Sequence, residues 1–340
     1  MKDKIFYEEN LIVNKEDEFK LGELENIELN RNGEIELKDN NLQGTYTSPI
    51  IKTERFNELI ASWNVSTPEN THIEVSVQTQ VEDKLTRWYS YGKWSSNKDS
   101  GSVTGQSDKT GKMSVDTLEI LSGQYADALR YKVELIRRDK TADSPSVKSI
   151  YMTLKKEEVE KTRLSKDIDY LVDLEVPERS QMIVPEIGNR ICSPTSLAMV
   201  LEYYGEDMTT EEVSSSVLDN EIDIYGNWSY NASYAGSRGL DSYVAIFDSV
   251  ERIKEKIAYG IPVIASIKTK SEDTLIGAPQ TYPSGHLIVI RGFKLKDGEE
   301  YVIVNDPASP EIEKVKREYK LSDFENAWSN VVYIISEDGE

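Results

Sequence analysis

Gln181-Met-Ile-Val-Pro-Glu-Ile-Gly-Asn-Arg-Ile-Cys-Ser-Pro-Thr-Ser-Leu-Ala-Met-Val-Leu-Glu-Tyr-Tyr-Gly205 contains Cys192, the single cysteine of the 340-residue chain. Pro194 suits the first turn of a helix, Leu197, Val200, Leu201 and Tyr204 recur at helical spacing, and Gly205 supplies a stop. The spacing predicts an amphipathic helix with Cys192 at its start. Unpaired N–H groups give a helix N-terminus a partial positive charge, which favours thiolate, the reactive form of cysteine. The same position also suits a small buried hydrophobe, so the chemistry depends on which groups meet the sulfur.

Working outward, two apolar runs downstream supply candidates. His286 opens the run in Ser284-Gly-His-Leu-Ile-Val-Ile-Arg-Gly292, and Asp306 follows the run in Val302-Ile-Val-Asn-Asp-Pro307. The runs are joined through Lys296-Asp-Gly-Glu299, and Asp-Gly between two such runs is a hairpin signal. Antiparallel pairing brings the start of one strand beside the end of the other, so His286 and Asp306 should be neighbours. A carboxylate on one imidazole nitrogen fixes the tautomer and leaves the other to exchange a proton with a thiol. His72, the other histidine, lies in a strand-rich region and reads as structural.

Length predicts two domains. Up to residue 157 the chain shows short alternating runs: 33–38, 73–78, 113–118 and 129–135. This strand periodicity predicts an all-β sandwich or jelly roll, with 155–161 as a charged linker and a second domain over 158–340. The second domain mixes the Cys192 helix, a capped helix after Thr209-Thr-Glu-Glu212, another over 250–259 and a last one over 323–328 with strands at 262–267, 287–291, 301–305 and 331–335, an α+β pattern. Residues 223–240, dense in aromatics and glycines, read as a loop walling a cleft, with Trp228 and Tyr230 as contact surfaces.

Charge narrows the partners. Lys and Arg number 40 against 61 Asp and Glu, a net charge of −21 that disfavours nucleic acid and anionic membrane surfaces. The longest apolar stretch, 260–267, is too short to span a bilayer. Met1 to Glu9 lacks the apolar core of a secretory signal. That leaves the compartment open: extracellular or cell-surface if a signal has been removed, cytoplasmic otherwise. One cysteine excludes an intramolecular disulfide and a multi-cysteine zinc site, and no metal or cofactor is expected.

The segment Gln181 to Gly205, with Gly285-His286, Asn305-Asp306-Pro307, Tyr225-Gly-Asn-Trp-Ser-Tyr-Asn231 and Gly260-Ile-Pro-Val-Ile264, resembles the soluble branch of cysteine peptidase family 39, in the papain-like clan. Ser48-Pro-Ile-Ile51, Ser62-Trp-Asn64, Trp88-Tyr-Ser-Tyr-Gly-Lys-Trp94 and Gly105-Gln-Ser-Asp108 resemble the β-rich domain that some bacterial members carry. The resemblance implies a papain-like fold in which Cys192 is the nucleophile, His286 the general base and acid, Asp306 its orienter and Gln181 an oxyanion donor. It implies a peptide or protein substrate, and Gly285 joins Trp228 and Tyr230 as a candidate contact for it. Ser193 stands where many members have glycine, and capping geometry accommodates serine. The transporter segments fused to the leader-processing relatives are absent from this sequence, so their substrate does not carry over.

Two other readings share these residues. A cysteine-dependent amidase or acyltransferase uses the same thiol attack. A non-enzymatic glycan-binding or adhesion protein would use the aromatics of the β domain, Trp63, Trp88, Tyr89, Tyr91 and Trp94, as stacking surfaces on a papain-like scaffold with an unreactive Cys192.

Overall fold

The computed structural model describes residues 10–121, 123–157, 163–165 and 168–337. It separates into two compact units, Met1–Ser95 with Ser102–Val159, and Ser96–Gly101 with Glu160–Glu340. Residues 158–161 of the expected linker lie outside the described residues.

The first unit runs β1 (Leu11–Asn14), α1 (Glu16–Phe19), β2 (Glu23–Glu25), β3 (Ile27–Leu29), β4 (Ile35–Leu37), β5 (Gln43–Thr47), β6 (Ile51–Ser66), β7 (Thr71–Val81), β8 (Lys84–Leu85), β9 (Tyr89–Trp94), β10 (Gly111–Ser114), β11 (Thr117–Ile120), β12 (Ala126–Arg137) and β13 (Ser146–Lys156). Its strands pair antiparallel. Strand β12 lies between β5 and β7, and β7 carries β9. The long β6 pairs with β12 at its start and with β13 and β11 further on, so it leaves one layer and enters the other. Tyr91 joins the layers: from β9 its hydroxyl donates to the Leu59 carbonyl and accepts from the Ala61 N–H on β6, both at 3.1 Å. Trp63 meets the edges of Tyr91 and Trp94, with ring centres 6.1 and 6.5 Å apart.

The expectation of a β-rich first domain holds, with three corrections of detail. Residues 113–118 form a hairpin, β10 turning into β11 with Val115 at φ 60°, because Ser114 pairs with Thr117. A β-branched residue is rare in that conformation, and no Asn-Gly or Asp-Gly marks the turn. Residues 16–19 form one helical turn, α1, that buries Phe19. Of the five aromatics considered for sugar stacking, Trp63, Tyr89, Tyr91 and Trp94 are at most 1% exposed and fill the core. Only Trp88 reaches the surface, where Arg130 lies 5.1 Å and Lys132 5.7 Å from its ring centre.

The second unit contains α2 (Cys192–Tyr203), α3 (Thr210–Val217), α4 (Trp228–Ser237), β14 (Asp241–Ile246), α5 (Val250–Ala258), β15 (Val263–Ile267), β16 (His286–Lys296), β17 (Glu299–Asn305), β18 (Lys316–Lys320), α6 (Leu321–Ala327) and β19 (Trp328–Ser336). Its sheet has the order β14-β19-β15-β16-β17-β18. Val, Ile and Leu dominate the central strands because residues there are buried on both faces. The Thr209 capping box, with Glu212 answering the Thr209 N–H, opens α3 as the sequence predicts.

Two helices differ from expectation. Helix α2 has no polar face, since every residue from Ser193 to Leu201 is buried. Its serines bond inward: Ser193 Oγ lies 2.9 Å from the Tyr333 hydroxyl and Ser196 Oγ donates to the Leu287 carbonyl at 3.1 Å. Ser193 therefore anchors the helix rather than capping it, and Ile191 holds the cap position. Residues 228–237, read as part of a loop, form α4, whose N-cap Asn227 accepts from the Tyr230 N–H at 3.2 Å. The Asn cap was the overlooked start signal.

Candidate active site

Cys192 is the first residue of α2 and is half-buried. His286 opens β16, and Gly285 just before it has φ 99°, a conformation that favours glycine. The hairpin forms as predicted: Asn305, the last residue of β17, faces Val289, and the chain beyond it passes the start of β16. His286 Nε2 and Asp306 Oδ1 are 2.8 Å apart. Asp306 thus takes one nitrogen of the ring, and His286 is the neighbour that does most to lower the Cys192 thiol.

Asp306 has no exposed surface, and its carboxylate is filled with donors. Besides His286, Oδ1 accepts the Ala308 N–H at 3.0 Å, while Oδ2 accepts the hydroxyls of Tyr282 at 2.9 Å and Tyr319 at 3.0 Å. The Tyr282 ring also lies flat on His286, with centres 3.9 Å apart and planes 10° off parallel. Neither tyrosine was singled out from sequence. Tyr282 reaches the site from the connection before β16 and Tyr319 from β18, and no local pattern marks either contact.

Burial opposes ionisation throughout, and the neighbours reverse it. Burial raises the Asp306 carboxyl, yet His286, the Ala308 N–H and the Tyr282 hydroxyl bring it below its ordinary value. Burial lowers His286, yet the charge and hydrogen bond of Asp306, with Cys192, push it up to about 9. Burial raises the Cys192 thiol, but the hydrogen bond and charge of His286, aided by the N–H groups of Leu287 and Ser193, hold it below its usual range. Both shifts favour a thiolate beside an imidazolium more than the same groups would in water.

Gln181 sits in a short turn, Gln181–Ile183, and is 3% exposed. One amide hydrogen of Nε2 is committed to the Gly188 carbonyl at 2.6 Å, which leaves the second uncommitted by that bond. Gly188 has no room for a side chain, since a Cβ there would lie 2.5 Å from the Gln181 carbonyl oxygen. The Gln181 turn is stitched to the loop after Asp306: the Gln181 N–H donates to the Pro307 carbonyl at 2.9 Å and Ser180 Oγ donates to the Ser309 carbonyl at 2.5 Å.

The candidate substrate contacts divide. Gly285 is exposed beside His286 and Trp228 is half-buried. Tyr230 is 0% exposed, so it packs the interior and cannot offer a contact surface; the inward side of α4 takes it. Among the described residues no group of three His, Cys, Asp or Glu side chains could hold a metal ion, and no helix is long and apolar enough to cross a membrane.

A thiol at a helix start, opposed by a histidine and an aspartate from the adjoining antiparallel sheet, defines a papain-like α+β domain. Residues 16–154 match the peptidase C39 N-terminal domain and residues 173–335 match the peptidase C39-like family. No curated protein matches the sequence. Among solved structures, a double glycine motif protease from an AMS/PCAT transporter, in complex with the leader peptide, is 21% identical and aligns over 48% of this chain and 94% of its own, with TM-score 0.33. A C39-like peptidase from Bacillus anthracis is 17% identical over 48% and 98%, with TM-score 0.36. A low-affinity xylan-binding module from Roseburia intestinalis is 18% identical over 43% and 96%, with TM-score 0.22.

Proposed function

We propose that the chain is a cysteine peptidase whose second domain, from about residue 158, hydrolyses peptide bonds, with residues 1–157 as an accessory domain. The observation that carries this reading is the line of groups from the half-buried Cys192 through His286 to the buried Asp306. The Cys192 thiolate attacks the carbonyl carbon of the scissile amide. Negative charge gathers on the carbonyl oxygen, where the second hydrogen of the Gln181 amide and the backbone N–H of Cys192 are its donors. His286 passes its proton to the departing amine, and a thioester remains on Cys192. Water then attacks the thioester as His286 takes its proton, releasing the carboxylic acid and restoring the pair. Gly285 and Trp228 flank the bound peptide in this reading.

Because the chain has one thiol, alkylation by iodoacetamide reads Cys192 alone. The rate in the native protein should rise to a plateau well below pH 8.5 and lose that plateau in His286→Ala. Slow alkylation, or an ordinary thiol profile in both proteins, refutes the reading. A peptide-library screen then separates a peptidase from an amidase or acyltransferase with the same nucleophile.

A further inference from the structure

We infer that Tyr282 and Tyr319 are positioning residues: their hydroxyls occupy the distal oxygen of Asp306 and thereby set how tightly His286 holds its proton. The inference rests on the peptidase reading for its significance, but on geometry for its content.

Both phenols are nearly sealed from solvent, Tyr282 at 4% and Tyr319 at 1% exposure. Tyr282 is fixed at its backbone, where its N–H donates to Thr269 Oγ1 at 2.7 Å and its carbonyl accepts the Thr269 N–H at 3.1 Å. Tyr319 is fixed in β18 opposite Val302 of β17. Their hydroxyls, from separate elements, converge on Oδ2 at 2.9 and 3.0 Å. Burial and the facing carboxylate hold both phenols protonated, so they act on Asp306 as donors.

A carboxylate that accepts two hydroxyls on one oxygen has less charge to offer at the other. Oδ1 is the atom that holds His286, so the phenols moderate the grip of Asp306 on the imidazolium. That matters because His286 must release its proton to a leaving amine, and a too-basic imidazole is a poor acid. The charged and titratable groups around His286 are Cys192 from α2, Asp306 from the β17–β18 connection and Tyr282 from its own connection; Arg317, on β18, acts on the two phenols and weakly opposes their rise. A space-filling role would need the rings alone.

The test uses the whole chain with 13C-labelled histidine, in which His72 and His286 give the only two signals and His286→Ala assigns them. Tyr282→Phe and Tyr319→Phe keep each ring, and with it the stack on His286, while deleting the hydroxyl. The midpoint of the His286 titration should move upward by about half a unit or more in each variant and further in the double variant. An unchanged or lowered midpoint in both single variants overturns the inference. If the double variant does not fold, the two single variants decide. The titration needs no turnover, so an unreactive Cys192 would sink the peptidase reading and leave this measurement standing.

Discussion

Tyr91 in the first unit and Tyr282 in the second are both buried phenols held by hydrogen bonds, and they do different work. Tyr91 bridges the Leu59 carbonyl and the Ala61 N–H, neutral backbone groups on the opposite layer, and burial is the main cause that makes it a far weaker acid than an ordinary phenol. Tyr282 donates to an anion and stacks on its partner histidine. Removing one hydroxyl should therefore loosen a core, and removing the other should shift a proton. What separates them is the neighbour that folding delivers.

The comparison breaks if the two units do not respond separately. The largest effect is expected from Cys192→Ser, which should abolish acyl-enzyme formation, a loss on the order of 10³-fold or more in turnover of a hydrolysed peptide, with no change in the urea midpoint of the first unit. Trp63→Ala should act in reverse: deleting a fully buried indole costs about 3–5 kcal/mol of first-unit stability by urea unfolding, while Cys192 alkylates at its native rate. Gln181→Ala should lower peptide turnover by about 10²–10³-fold yet leave iodoacetamide alkylation nearly unchanged, because alkylation develops no carbonyl oxyanion. Tyr91→Phe, which removes the hydroxyl bridge between the Leu59 carbonyl and the Ala61 N–H, should cost about 1–3 kcal/mol in the first unit and leave the pH dependence of alkylation alone.

The sign of the pH dependence follows from the same site. His286 is raised to about 9 and Cys192 is lowered, so the ion pair spans the interval between them. Turnover should fall on the acid side as the thiolate is protonated and on the alkaline side near pH 9 as His286 loses its proton. An alkaline limb near the ordinary histidine value of about 6.5 would mean that Asp306 does not act on the ring.

Those parts of the site governed by local rules were legible in the sequence. The start of α2, the Thr209 box, the Asp-Gly hairpin and hence the meeting of His286 with Asp306 all follow from neighbours within a few residues. The rest depended on distant contacts. Tyr282 and Tyr319 reach Asp306 across 24 and 13 residues of sequence. Strand β18, at one edge of the sheet, lacks the continuous apolar run that marks its interior strands, whereas β14, at the other edge, has one in Tyr243-Val-Ala-Ile246. Helix α4 hid behind Tyr, Asn, Ser and Gly, weak helix formers that tertiary packing overrode. In the first unit, alternation found the strands but could not separate a core aromatic from a surface one, since four of the five candidate rings turned inward.

Asp306 is solvated by protein instead of water: an imidazole, an amide and two phenols stand where a hydration shell would be. Water around a free carboxylate must turn each time a nearby charge moves, whereas these four dipoles were oriented when the chain folded. The reorganisation that a reaction in water meets at every turnover has here been met once, during folding. Heat should therefore find no separate weak point in this cluster: its order and the fold of the second unit are expected to disappear in one transition.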